Sequence, residues 1–207
     1  MGIKERRERE KEGRKNQILE AARTLLLERG LKGTSVQQIA KKAELGVATI
    51  YFYYQNKEDL FSALQQEGLR LLQERIKRAV QEGKTPGDKI KKTAWAYYQF
   101  SQSDKDYFDI INYFLSQPAV IFDPKIKREL DELGTSILSQ VEKAIQEGIE
   151  KKVFHPVDVK KSAIQLWGML HGLLLFRKMK ATILKKENHK ALYEYAVDRF
   201  VNGLTWK

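Results

Sequence analysis

Four prolines, at 86, 118, 124 and 156, punctuate 207 residues, and the windows between them are long. Proline ends or kinks a helix, because it lacks an amide proton and collides with the preceding turn. The proline-free stretches can therefore run as helices. Apolar residues within them recur mostly at i, i+3 and i+4, the spacing of one helical face. Strand-like alternation and internal repeats are absent. The expected fold class is all-α.

Caps and stops divide the pattern into elements. A first helix is expected over roughly 14–29, with Gly30 closing it. The run Thr34-Ser35-Val36-Gln37 has a capping-box pattern and opens a second helix at Thr34. Glu44-Leu45-Gly46 makes a turn, and a third helix covers roughly 47–54. Asn56 caps a fourth, over about 57–81. Further helices are expected near 87–102, 105–117, 124–151, 157–180 and 189–204.

Composition narrows the function classes. There is no cysteine, hence no disulfide and no thiolate metal site. The charged start carries no apolar signal segment. The longest greasy run, Ala163 to Phe176, falls short of the roughly 20 residues a spanning helix needs. The chain is expected to be soluble and cytoplasmic, with no membrane partner. His155, His171 and His189 lack metal-ligand spacing, and neither a nucleophile elbow nor a phosphate-binding glycine loop is found. No enzyme activity, cofactor or metal is expected. A net charge of +11 favours a polyanionic partner. Residues 1–60 hold 13 Lys and Arg against 9 Asp and Glu, so the excess is spread along the chain. The arm from Lys4 to Lys15 has two readings, a solvated fraying tail or a basic extension that reaches nucleic-acid phosphates.

Four consecutive aromatics, Tyr51 to Tyr54, locate the candidate interface. On a helix, successive side chains turn by about 100°. With Ile50 as origin, Val47 and Tyr54 share its face and pack inward. Ala48, Thr49 and Phe52 point outward, flanked by Tyr51 and Tyr53. Two short helices joined by a three-residue turn form a helix-turn-helix. An outward Phe52 makes sense if that face enters a groove. Ala48 and Thr49 permit close approach to base edges, and the tyrosines place hydroxyls near phosphates. Lys57, at the start of the fourth helix, adds a phosphate site.

The segment TSVQQIAKKAELGVATIYFYYQNKEDLF, residues 34–61, resembles the DNA-binding segment of the tetracycline-repressor (TetR) family. It shares the Thr-capped second helix, the T-[hydrophobic]-Y-aromatic-aromatic third helix and the N-K-E-x-L opening of the fourth. The resemblance implies an N-terminal three-helix DNA-binding domain and a C-terminal helical domain for ligand binding and dimerisation. The expected boundaries are a charged arm at 1–12, the helix-turn-helix domain at 13–56 and the effector domain at 57–207, with helix 57–82 linking the two. It implies a homodimeric regulator, usually a repressor, on an inverted-repeat operator in double-stranded DNA, responding to a small-molecule effector. Carried over by position, the family's DNA contacts fall on Thr34, Ser35, Gln37, Val47, Ala48, Thr49, Tyr51, Phe52, Tyr53 and Lys57. The turn departs from the common pattern, since many members have Gly where Glu44 stands and a basic or polar residue at Val47. Direct readout by the third helix is therefore expected to be weaker, with more weight on phosphates and DNA shape.

In the C-terminal part, Trp95, Tyr98, Phe108, Ile111, Phe114, Phe122, Ile137, Val141, Trp167 and His171 are candidate effector contacts. Few charges fall among them, which favours an apolar or amphipathic ligand. The run AIQLWGMLHGLLLF is apolar nearly all round, and such a helix buries more than one side. Gly168 and Gly172 permit close helix approach. With Leu192, Tyr195, Ala196 and Phe200 they form a candidate four-helix dimer interface. Two alternatives stand beside the regulator: an effector-independent architectural DNA-binding protein, and an interaction protein that keeps the fold without operator binding.

Overall fold

A computed structural model of the chain describes residues 2–115, 124–185 and 187–206. Among them the backbone forms nine α-helices, and the fold is all-α as the apolar periodicity predicts. They are α1 (Ile3–Arg29), α2 (Val36–Lys42), α3 (Val47–Tyr53), α4 (Lys57–Glu82), α5 (Pro86–Ser103), α6 (Lys105–Leu115), α7 (Pro124–Glu150), α8 (Val159–Phe176) and α9 (His189–Leu204). A 3-10 turn, Arg177–Met179, and a π turn, Lys180–Leu184, follow α8.

The helix ends follow the capping chemistry of the sequence. Asn56 accepts the Asp59 amide at 2.7 Å, Thr85 accepts that of Asp88 at 3.1 Å, and Asp158 that of Lys161 at 3.0 Å. Each satisfies one of the orphan amides of a first turn. Pro86 stands at the first position of α5, where its missing amide proton costs nothing. Three ends differ from expectation. Helix α8 stops at Phe176, short of the expected 180, where the 3-10 turn begins. The capping box of α2 lies one residue later, with Ser35 accepting the Gln38 amide at 3.2 Å and Gln38 Oε1 accepting the Ser35 amide at 2.8 Å. And α1 starts at Ile3 rather than near Arg14, because i, i+4 charge pairs such as Arg6–Glu10 at 2.8 Å fit a helical arm.

The chain divides into two compact units, Met1–Leu69 with Lys105–Leu130, and Arg70–Asp104 with Asp131–Lys207. The first has a core of Ile18, Ala22, Leu25 and Leu26 from α1, Ile39 and Ala40 from α2, Ile50 from α3, Leu60, Phe61 and Leu64 from α4, and Ile110 from α6. This unit is larger than the 13–56 span expected for it. The Tyr113 hydroxyl accepts the Leu31 amide at 3.2 Å, and Ile110 is fully buried, so α6 is part of the same core. In the second unit α5, α8 and α9 pack together, with Ile90, Ala94, Tyr97, Leu166, Leu170, Leu174, Tyr193 and Val197 buried. An antiparallel bridge between Phe154 and Thr205 ties the α7–α8 connection to the end of α9.

Candidate nucleic-acid interface

The third helix is short, and its seven residues divide as the helical angle requires. Ile50 is 1% exposed and anchors α3 in the core, with Val47, Tyr53 and Tyr54 packed partly against it. On the other side Phe52 is 78% exposed and Tyr51 49%. Ala48 is exposed beside them and Thr49 half-exposed. The Phe52 and Tyr53 rings meet edge to face at 5.1 Å, so Tyr53 braces the projecting ring. Tyr54 closes the helix, and burial, with the carboxylates of Glu67 and Glu12, pushes its pKa up to about 12.

The residues flanking α3 hold it in place. Gln17 on α1 donates from Nε2 to the Ala43 carbonyl at 2.8 Å, pinning the end of α2. In the turn, Glu44 adopts φ 54°, a left-handed conformation that glycine adopts more cheaply. Thr34 is buried, and its hydroxyl donates to the carbonyls of Gly30 at 2.8 Å and Leu25 at 3.2 Å. It therefore stitches α1 to the loop and faces away from any external phosphate. Ser35 spends its oxygen on the α2 cap, whereas Gln37 is exposed. Lys57 is half-buried, and its ammonium donates to the carbonyls of Leu31 at 2.9 Å and Thr34 at 3.1 Å. Sequence reasoning missed Gln17 and Gln38, whose signal was polarity at the edge of an otherwise apolar helical face.

The effector candidates fall into both units. Phe108 and Ile111 are buried in the first, and Phe114 packs on the helix-turn-helix core. Phe122 lies outside the described residues. In the second unit Trp95 stacks on Tyr98 at 5.0 Å, and the Lys190 ammonium lies 4.8 Å from the Trp95 ring. Trp95 lines a depression of about 320 Å³ between α5 and α9, with Lys91, Tyr193 and Asp198. Trp167 and His171 converge on Tyr97, which sequence reasoning passed over. Tyr97 stacks on Trp167 at 4.4 Å and shares a 2.8 Å hydrogen bond with His171 Nδ1. Burial holds the Tyr97 hydroxyl protonated and lowers the His171 pKa, so the pair is neutral. One turn before Tyr97, the buried Thr93 Oγ1 has no hydrogen-bond partner. Ile137 and Val141 are buried in the same unit.

Of the interface candidates, Gly168 is exposed and Gly172 half-exposed on α8, with open space where a Cβ would stand. On α9 Tyr195 is 63% exposed, and Leu192, Ala196 and Phe200 are half-exposed. Ile164, 51% exposed one turn before Gly168, belongs with them. Among the described residues no helix is long and apolar enough to cross a membrane, and no cluster of His, Asp and Glu is placed to hold a metal.

The model of the bacterial regulatory proteins of the tetR family matches residues 18–64, the stretch from α1 into α4. The uncharacterized HTH-type transcriptional regulator YhgD of Bacillus subtilis (strain 168) is 26% identical over 192 residues, covering 93% of this chain and 97% of YhgD. Over residues 18–64 the chain carries the DNA-binding segment of the tetR family. Two solved structures share its fold. The transcriptional regulator FadR from Bacillus subtilis, in complex with stearoyl-CoA, is 23% identical and superposes with a TM-score of 0.76, covering 91% of this chain and 98% of FadR. AibR, in complex with isovaleryl coenzyme A and operator DNA, is 23% identical with a TM-score of 0.71, covering 93% and 98%.

The matched segment marks the chain as a DNA-binding regulator of the tetR type. The family assigns groove entry to the helix that here projects Phe52. Its frequent glycine at the Glu44 position also has a physical meaning in this chain, since Glu44 holds the left-handed conformation that such a glycine adopts without strain.

Proposed function

We propose that the chain is a ligand-responsive repressor that binds a pseudo-palindromic operator as a homodimer and is released by an acyl-CoA thioester. The observation that carries this reading is Phe52, 78% exposed on a seven-residue helix whose opposite face holds Ile50 in the core. An aromatic side chain in that position is poor chemistry for a free surface and good chemistry for a groove. Ala48 and Thr49 present methyl groups to thymine, Thr49 also a hydroxyl to a base edge, and Tyr51 and Tyr53 fix the register from either side. Val47 reaches the groove by its position at the start of α3. The exposed Gln37 serves a phosphate.

Dimerisation follows from the apolar face of α8 and α9, where Ile164, Gly168, Gly172 and Tyr195 are left without cover by their own subunit. Packing this face against its copy forms a four-helix interface. The effector class is supported by the ligands of FadR and AibR, a long straight-chain and a short branched acyl-CoA. Such a molecule joins an apolar chain to a polyanionic head. In the second unit an apolar core holds a small polar group, Thr93, Tyr97 and His171, suited to a carbonyl such as that of a thioester. Because α4 carries residues of both units, a ligand that favours one set of the two reading heads over another is coupled to the operator.

Selection of duplexes from a random library should enrich an inverted repeat whose half-sites lie about 34–36 Å apart. Stearoyl-CoA or isovaleryl-CoA should then weaken operator binding by about 5- to 150-fold in fluorescence anisotropy, the usual range of such coupling, and free CoA should not. Enrichment of no repeat defeats the operator reading. Equal release by free CoA defeats the effector reading.

A further inference from the structure

The first turns of α1 touch no core, yet the helix runs unbroken from Ile3 and every described side chain from Lys4 to Arg14 is exposed. Its charges are not evenly scattered. At about 100° per residue from Lys4, Arg7 falls near 300° and Lys11 near 340°. The buried Ile18, Ala22 and Leu25 fall near 320°, 0° and 300° on the same wheel. Lys4, Arg7 and Lys11 thus extend, turn by turn, the stripe with which α1 packs on the helix-turn-helix core. Glu5, Glu8 and Glu12 lie to one side, at roughly 40–100°.

The other cations of the arm are engaged. Arg6 pairs with Glu10 at 2.8 Å, Lys15 lies 4.0 Å from Glu12, Arg14 donates to Gln17 Oε1 at 3.1 Å, and Arg9 has a partner. Among the described residues Lys4, Arg7 and Lys11 have none. The root of the arm is beside the reading head. Gln17 is bonded to the end of α2, and the Glu12 carboxylate acts on Tyr54 at the end of α3. The unpaired row then runs on for about 20 Å beyond Gln17, with axial steps of about 4.5 and 6 Å that long side chains can bring onto neighbouring phosphates. The arm has no apolar face with which to enter a lipid surface.

We infer that this row is a second DNA contact, which lies along phosphates beside the groove taken by α3 and lengthens the footprint of each half-site without reading its sequence. The inference rests on the DNA-binding reading above, and the test separates them. Binding of the full chain to a duplex of roughly 40 base pairs, one version random and one carrying the selected repeat, is measured against salt concentration. Replacing Lys4, Arg7 and Lys11 together by Gln should make the salt slope of the bound dimer shallower by about 5, since its two arms lose three contacts each and each phosphate contact contributes about 0.9. Affinity should fall about tenfold or more on both duplexes, with the preference between them unchanged. On a duplex trimmed to the repeat, wild type and variant should converge. The control replaces Arg6 and Arg9 by Gln on the other side of the helix and should leave the slope within one contact of wild type. An unchanged slope in the triple variant overturns the inference while leaving the operator reading intact. So does an equal loss per charge in the control, which reports net charge alone. Failure of the wild type to bind either duplex defeats both.

Discussion

Glu44 is a residue at which local sequence and local backbone disagree. Its φ of 54° places an L side chain in the left-handed region, which costs about 1–2 kcal/mol relative to a right-handed conformation. Glu44→Gly removes that cost but adds chain entropy to the unfolded state, about 0.5–1 kcal/mol against it. The net expectation is a gain near 0.5–1 kcal/mol in urea unfolding, with the α2–α3 turn unchanged. Loss of stability would show that the Glu44 side chain has a stabilising role of its own. Lys57 gives the opposite expectation. Its ammonium holds two loop carbonyls between α1 and α2, so Lys57→Ala should cost about 1.5–3 kcal/mol of stability, the range for hydrogen bonds to a charged group. Any loss of DNA binding should be recovered at low temperature if the role is structural alone. These two roles had different legibility. The turn was readable from Glu44-Leu45-Gly46, though not its strain. The partners of Lys57 are backbone carbonyls 26 and 23 residues away, and no spacing rule announces those. Ser35 rather than Thr34 caps α2 for a similar reason: two hydroxyls in succession offer two registers, and the buried carbonyls of Leu25 and Gly30 claim the first.

Among whole elements, α3 was the most legible. Four aromatics in succession cannot all face one core, and the residue directly before them, Ile50, is the one buried. The starts of α4, α5, α8 and α9 were also legible within a residue or two, because Asn56, Thr85, Asp158 and Asn188 all cap through their side chains. The N-terminal arm was not, since charge pairs support a helix without requiring one. The turn that follows α7 was not either. There the Gly148 carbonyl accepts the amides of Val153 at 2.9 Å and Phe154 at 3.0 Å, and Lys152 takes φ 57° to turn the chain back. The Phe154 ring then lies directly on Gly148, where any Cβ would collide with it. Gly148→Ala should therefore cost about 1–3 kcal/mol, as overpacking does, despite the better helix propensity of alanine. Adding Phe154→Leu should recover part of the loss, since the collision is with the ring. Additive losses in the double variant would exclude that contact as the cause.

At the scale of the molecule, chain order and compact units part company. The boundary falls inside α4, and α6 joins the first unit from the middle of the sequence. Apolar periodicity reports which face of a helix is buried and not which core buries it, so Phe108, Ile111 and Phe114 were grouped with Trp95 and Trp167 although they belong to the first unit. The proposed dimer face had a clearer signal, an excess of apolar surface on α8 that one core cannot use. Two reading heads on one assembly bind as a linked pair, and the second engagement is favoured by the high effective concentration set by the first. Charges on the uncovered face should therefore act on DNA at a distance. Ile164→Asp with Tyr195→Asp places two carboxylates in each copy of the interface, and burying them unpaired costs more than such an interface gains from those side chains. Sedimentation should show a monomer with unchanged helix content. Affinity for the inverted repeat should fall by about two to four orders of magnitude, the range that linkage supplies, while affinity for a single half-site stays as it was. A variant that remains dimeric would place the interface on another face. A monomer that keeps full affinity for the repeat would mean that the two heads bind independently, and that α8 and α9 do not set their spacing.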